Sequence, residues 1–206
     1  MLEAKVIWLA VAGAVVIGLI AYMALRRGDV GQGRFFGDQS YHFQTLRAMN
    51  DVASDGADTA EVLETIKKIR AGDAQGWFRA WSDSGDRVTR LAAATTDRIA
   101  KGCALLRAHN YYRTAEFFLP VHDAKRPVSA AKNIQSFYAG LDALGVVFQR
   151  IKVPYGEGHH LEAVYYPAAE GGPERPLIVL GGGYDSTLEE LYACLSKMRT
   201  STAIPS

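Results

Sequence analysis

The chain has 206 residues, enough for one domain or one and a half. Hydrophobic residues at 49% and charged residues at 22% are ordinary for a globular protein, which excludes a disordered tail, a collagen and a disulfide scaffold. Lys+Arg 23 against Asp+Glu 22 leaves a formal charge of +1, and no basic run is interleaved with aromatics, so nothing marks a nucleic-acid partner. Cys103 and Cys194 fit a reducing compartment as two buried thiols.

From Val6 to Leu25 the chain reads VIWLAVAGAVVIGLIAYMAL. About 20 uncharged residues at 1.5 Å each are long enough to cross a hydrocarbon core of roughly 30 Å. Trp8 and Tyr22 lie near the two ends, and Arg26 and Arg27 close the run. A cleaved signal peptide competes with this reading. Against it stand the length of the run, an n-region with only Lys5 beside Glu3, and the lack of a clear A-x-A cleavage site following the run. The expectation is a single-pass anchor over residues 1–27, with the membrane as partner through Val6–Leu25. Arg26, Arg27 and Arg34 follow the span, and the positive-inside rule then puts the C-terminal part in the cytoplasm.

A Gly-rich linker from Gly28 to Gly33 leads into a helical region, expected over residues 28–145. Asp58-Thr-Ala-Glu61 is a capping box, in which Asp58 accepts from the Glu61 amide and Glu61 reaches back. Val62, Ile66 and Ile69 follow at helical spacing. Gly72 ends that helix and Asp73 caps the next. Trp77 and Trp81, four apart, share a face. The alanine-rich stretch Leu91 to Leu106 is helical, a further helix carries Tyr111, Tyr112, Ala115 and Phe118 to a stop at Pro120, and Ser129 to Leu144 forms another. The aromatic stripes read as helix–helix core, with an aromatic-lined substrate pocket as the alternative.

At Val146 the period changes from 3.6 to 2. Val147 to Val153 and Leu161 to Tyr166 alternate about a turn containing Gly156 and Gly158, which predicts an antiparallel hairpin. Pro176-Leu-Ile-Val-Leu180 is a continuous apolar run and predicts a strand buried on both faces. Gly181-Gly-Gly-Tyr-Asp-Ser186 follows, and Ser186-Thr-Leu-Glu189 is a second capping box. Strand, three glycines and capped helix together suit an anion, a phosphate or an oxyanion, on exposed backbone amides at a helix start. The same string also fits a plain connection. It is no P-loop, lacking Gly-Lys-Ser/Thr, and it is not G-x-G-x-x-G.

The string RPLIVLGGGYDSTLEELY, from Arg175 to Tyr192, resembles strand 3 and the oxyanion loop of an α/β hydrolase. It is most similar to the group with a helical N-terminal cap, which includes 2,6-dihydroxypseudooxynicotine hydrolases and fungal polyketide-shortening hydrolases. FFGDQSYHFQTLR from Phe35, GDAQGWFRAW from Gly72, LRAHNYYRTAEFFL from Leu106 and VPYGEGHHLEAVYY from Val153 match the group in the same order. The resemblance implies an α/β fold: a helical cap, then the first strands of a hydrolase sheet over residues 146–206. It implies oxyanion donors at the backbone amides of Gly183 and Tyr184. It also implies Ser-His-Asp cleavage of C–C or acyl bonds in small ketone or ester substrates, with no cofactor.

The nucleophile elbow G-x-S-x-G does not occur in these 206 residues, so no catalytic side chain is assigned. The sequence reads as the N-terminal portion of a truncated, membrane-anchored hydrolase, inactive as this chain alone. The alternative is a non-catalytic anchored helical module that binds a partner through its aromatic faces. A small-molecule substrate is expected only for a full-length hydrolase. Unpaired edges of the Leu177–Leu180 strand make a homo-oligomer a further expectation.

Other polar groups are assigned no chemistry. His159 and His160, adjacent on a strand, point to opposite faces, so no metal site is expected there. His42, His109 and His122 read as structural or surface residues. Glu189 and Glu190, neighbours on a helix, read as capping and surface residues.

Overall fold

The computed structural model describes residues 33–167 and 176–201. The chain divides into two compact units, Met1–Thr45 and Leu46–Ser206. Helix α1 (Gln39–Asn50) crosses that division. In the first unit Phe36 sets its ring edge-on to Tyr41 at 5.7 Å, and the Phe35 amide donates to His42 Nδ1 at 3.2 Å.

In the second unit a 3-10 turn (Asp51–Ser54) leads to α2 (Thr59–Ile66), α3 (Ala74–Ala94), α4 (Arg98–Glu116) and α5 (Lys125–Leu144). Strands β1 (Gln149–Pro154) and β2 (His160–Tyr165) follow, then a second 3-10 turn (Glu189–Leu191) and α6 (Tyr192–Ser201). Aspartates start four of the helices: Asp38, Asp58, Asp73 and Asp97 accept from the amides of Tyr41, Glu61, Gly76 and Ala100 at 2.8–3.0 Å. Asp97 also divides what the sequence reads as one helix from Leu91 to Leu106. Gly145, at φ +71°, closes α5, with the Val146 amide on the Leu141 carbonyl at 3.0 Å.

Helix α4 lies between α3 and α5. Trp77 and Trp81 are fully buried with ring centroids 5.6 Å apart; Trp81 meets Tyr111 and Trp77 meets Phe118. The Trp77 indole N–H donates to the Thr114 carbonyl at 2.6 Å. The aromatic stripe is therefore helix core. A second cluster of Leu106, Phe137 and Leu141 gathers Tyr138, Phe148, Tyr166 and Tyr192 around it, so the hairpin flanks and the start of α6 pack on α4 and α5.

The hairpin forms as its alternation predicts, in the register Val153↔Leu161 and Ile151↔Ala163. Its turn uses Gly156, Glu157 and Gly158 at positive φ.

The expected fold class is corrected on two points. The described residues are mostly helical, and their one sheet is the two-stranded antiparallel hairpin, without the further hydrolase strand expected after it. Pro176–Leu180 forms no strand: among the described residues no neighbour offers it a ladder, and Leu177, Ile178 and Val179 stand 73, 66 and 84% exposed. Apolar composition alone does not make a strand without a partner. The second correction concerns the transmembrane helix and the single-pass membrane localisation. Among the described residues no helix is long and apolar enough to cross a membrane. The Val6–Leu25 segment on which both expectations were built lies outside the described residues.

Candidate functional site

Gly181, Gly182 and Gly183 are exposed, and none of them has a positive φ. The turn therefore does not draw on glycine's left-handed freedom; it needs space. A Cβ on Gly182 would stand 2.5 Å from Ser186 Cβ, whereas one on Gly181 would meet nothing within 4 Å. That space lets Ser186 fold back under the turn. Its amide donates to the Gly183 carbonyl and its Oγ accepts from the Gly183 amide, both at 3.2 Å. The Tyr184 side chain is wholly exposed. Gly182→Ala is expected to expel Ser186 and move the Gly183 amide proton upfield in an NMR spectrum, while Gly181→Ala leaves that signal in place.

The second capping box does not form. Thr187, not Ser186, offers its hydroxyl to the chain ahead, accepting from the Glu190 amide at 3.4 Å, and the α-helix starts only at Tyr192. Instead of lying on a surface, Glu189 is buried, with the Tyr138 hydroxyl 3.4 Å from its Oε1.

Glu190 forms the centre of a charged cluster that the sequence reading misses. Arg47, in the last turn of α1, donates from Nη2 to both Glu190 oxygens at 2.6 and 2.9 Å. The same guanidinium reaches Asp185, with Nη1 on Oδ2 at 2.8 Å and Nη2 on the carbonyl oxygen at 3.1 Å. From the other side Arg113 Nη1 lies 3.2 Å from Glu190 Oε2. Arg113 is 6% exposed; burial works against its charge, and the Glu190 carboxylate is the chief opposing influence. Arg113 Nη2 also donates to Asn110 Oδ1 at 2.7 Å. Asn110 Nδ2 in turn donates to the carbonyls of Ala48 and Gly56, both at 2.9 Å. No spacing rule connects residues 47, 113 and 190, which lie far apart in the sequence.

Beside this cluster is a cavity of about 20 Å³, lined by Asp51, Leu106, His109, Phe137, Glu190 and Tyr192 among others. That is room for about one water and too little for a substrate. His109 is buried against Phe137, and its Nδ1 pairs with Asn133 Oδ1, which is the structural role expected of it. Burial, and then the Arg113 charge, lower its pKa to about 4. His159 lies in the exposed hairpin turn and His160 opens β2, also exposed; among the described residues no three His, Cys, Asp or Glu side chains gather as a metal would require. Cys103 is half-buried, but Cys194 is exposed rather than buried.

No protein-family model matches the chain. Among curated proteins it is similar to the hydrolase acrC of Aspergillus aculeatus, 34% identical over 77% of this chain and 41% of that protein. It is 32% identical to a 20-hydroxy-prefusarin hydrolase of Gibberella moniliformis, over 77% and 40%. The α/β hydrolase gkaG of Penicillium citrinum is 32% identical over 74% and 37%. Over the matched stretch the chain is a relative of the α/β hydrolases, as the order of its motifs implies. It spans about two fifths of the length of these curated relatives.

Proposed function

We propose that this chain supplies the helical cap and the oxyanion turn of an α/β-fold hydrolase that cleaves C–C or acyl bonds in small ketone or ester substrates. The backbone amides of Gly183 and Tyr184 are the donors to the oxyanion. The observation that carries the reading is the Gly181–Ser186 turn, tied to the helices by Arg47, within a stretch related to hydrolases. The Gly183 amide now rests on a neutral hydroxyl at 3.2 Å. A developing oxyanion makes shorter and about twice stronger bonds, so it displaces Ser186 Oγ from that amide. The acid, the base and the nucleophile are not assigned to any residue of this chain, whose sequence holds no G-x-S-x-G.

A chimera tests the reading. The whole chain replaces the matched stretch of the Aspergillus hydrolase acrC, with acrC itself as reference. The chimera is expected to take up one fluorophosphonate per molecule and to hydrolyse p-nitrophenyl acyl esters; the chain by itself does neither. A labelled serine in the chain by itself would overturn the proposal. So would a chimera that folds, by circular dichroism, but stays inert where acrC reacts.

A further inference from the structure

The three glycines of the turn have no side chains to hold them, and Tyr184 points its ring into solvent. Among the described residues, the only hydrogen bonds to residues 181–186 from outside the turn come from Arg47. Those bonds fall on Asp185, the residue after Tyr184, and hold both its side chain and its carbonyl. The same guanidinium grips Glu190, where the chain enters the helix, so one side chain holds the chain at two points just C-terminal to the Gly183 and Tyr184 amides. Arg47 is itself backed by a rigid element, since α1 carries it and the buried Arg113 holds Glu190 from behind.

We infer that Arg47 is the positioning residue of the oxyanion turn, the link through which the helical region sets where the Gly183 and Tyr184 amides stand; this rests on the function proposed above. An oxyanion donor acts by being in place before charge develops, so a turn free to move forfeits that advantage. The task needs arginine. Its planar fork serves the Asp185 carboxylate, the Asp185 carbonyl and both Glu190 oxygens at once, whereas a lysine ammonium is a point charge that cannot span them. The helical region therefore does more than cover a substrate.

Amide relaxation by NMR on the full chain tests this. The Gly183, Tyr184 and Asp185 amides are expected to have order parameters of about 0.85 in the parent and below about 0.6 in Arg47→Lys and in Asp185→Ala. The Trp77 and Trp81 indole signals stay unchanged in both. Lys67→Ala, which removes an exposed ion pair with Glu64, leaves the turn rigid. Should Arg47→Lys fail to fold, Asp185→Ala decides, because Asp185 is half exposed and its loss strands no buried charge. In the acrC chimera, Arg47→Lys is expected to lower kcat about tenfold with KM unchanged, a split that general loosening of the fold would not give. Turn amides that stay rigid in both variants, or are already mobile in the parent, overturn the inference even if the chimera is active. An inert chimera with a turn that loosens as expected sinks the hydrolase reading and leaves the clamp standing.

Discussion

Glu190→Ala is expected to destabilise the protein by about 3–5 kcal/mol, the range for removing one partner of a buried ion pair. The loss comes less from the missing bonds than from what remains. Among the described residues, Arg113 would keep its charge at 6% exposure with only Asn110 to serve it, and its Nε has no partner even now. Arg47 would retain Asp185 but turn toward water. Removing both charges relieves the stranded cation, so Glu190→Ala combined with Arg113→Met is expected to be more stable than Glu190→Ala alone. Urea unfolding of the three proteins checks the order. Equal midpoints for the parent and Glu190→Ala would show that Arg113 does not depend on this carboxylate.

The second large effect depends on pH. His109 titrates near 6.5 in an unfolded chain and at about 4 in the fold, because burial and the nearby Arg113 oppose a second positive charge. The proton therefore prefers the unfolded state. Above pH 6.5 His109 is neutral in both states and its contribution is constant. As pH falls from 6.5 to 4 the unfolded chain takes up a proton that the fold refuses, and about 3 kcal/mol of stability is lost. A neutral ring that donates to Asn133 Oδ1 carries its proton on Nδ1, consistent with this state. His109→Gln does not titrate and should lose this part of the slope. Unfolding free energies of both proteins between pH 4 and 7.5 measure it. Parallel curves would mean that His109 accepts its proton within the fold. Asp86, whose carboxyl is held below its usual range by Lys132 and Tyr112 against its partial burial, acts at the acid end of that window and is common to both proteins.

Features set by neighbours in sequence are legible from sequence. The Asp58 and Asp73 caps, the end of the helix at Gly145 and the hairpin all depend on residues close to one another in the chain. Long-range partners change the rest. The first capping box forms only by half: Asp58 accepts from Glu61, but Glu61 does not reach back. The Asp58 amide donates instead to the Tyr111 hydroxyl at 3.1 Å, and that hydroxyl donates to Glu61 at 2.7 Å. Arg107 and Arg87 then pair with the same carboxylate. Tyr111 lies 50 residues away and no local pattern announces it. Glu190 escapes for the same reason, because its two arginines come from α1 and α4. Pro176–Leu180 shows the opposite error: its composition suits a buried strand, but strands are made by the chains beside them. The order of motifs from Phe35 to Cys194 carries the hydrolase kinship, which the described secondary structure by itself would not suggest.

The measurement that bears most directly on the role of the Gly181–Ser186 turn is the ester hydrolysis rate of the acrC chimera carrying Tyr184→Pro. Proline at 184 removes one of the two proposed donor amides and adds no charge. The expected result is a fall in kcat of about 10²–10³ with KM nearly unchanged, as for loss of one oxyanion-hole donor. A chimera that turns over as fast with proline at 184 as with tyrosine would contradict the assignment of this turn to the oxyanion.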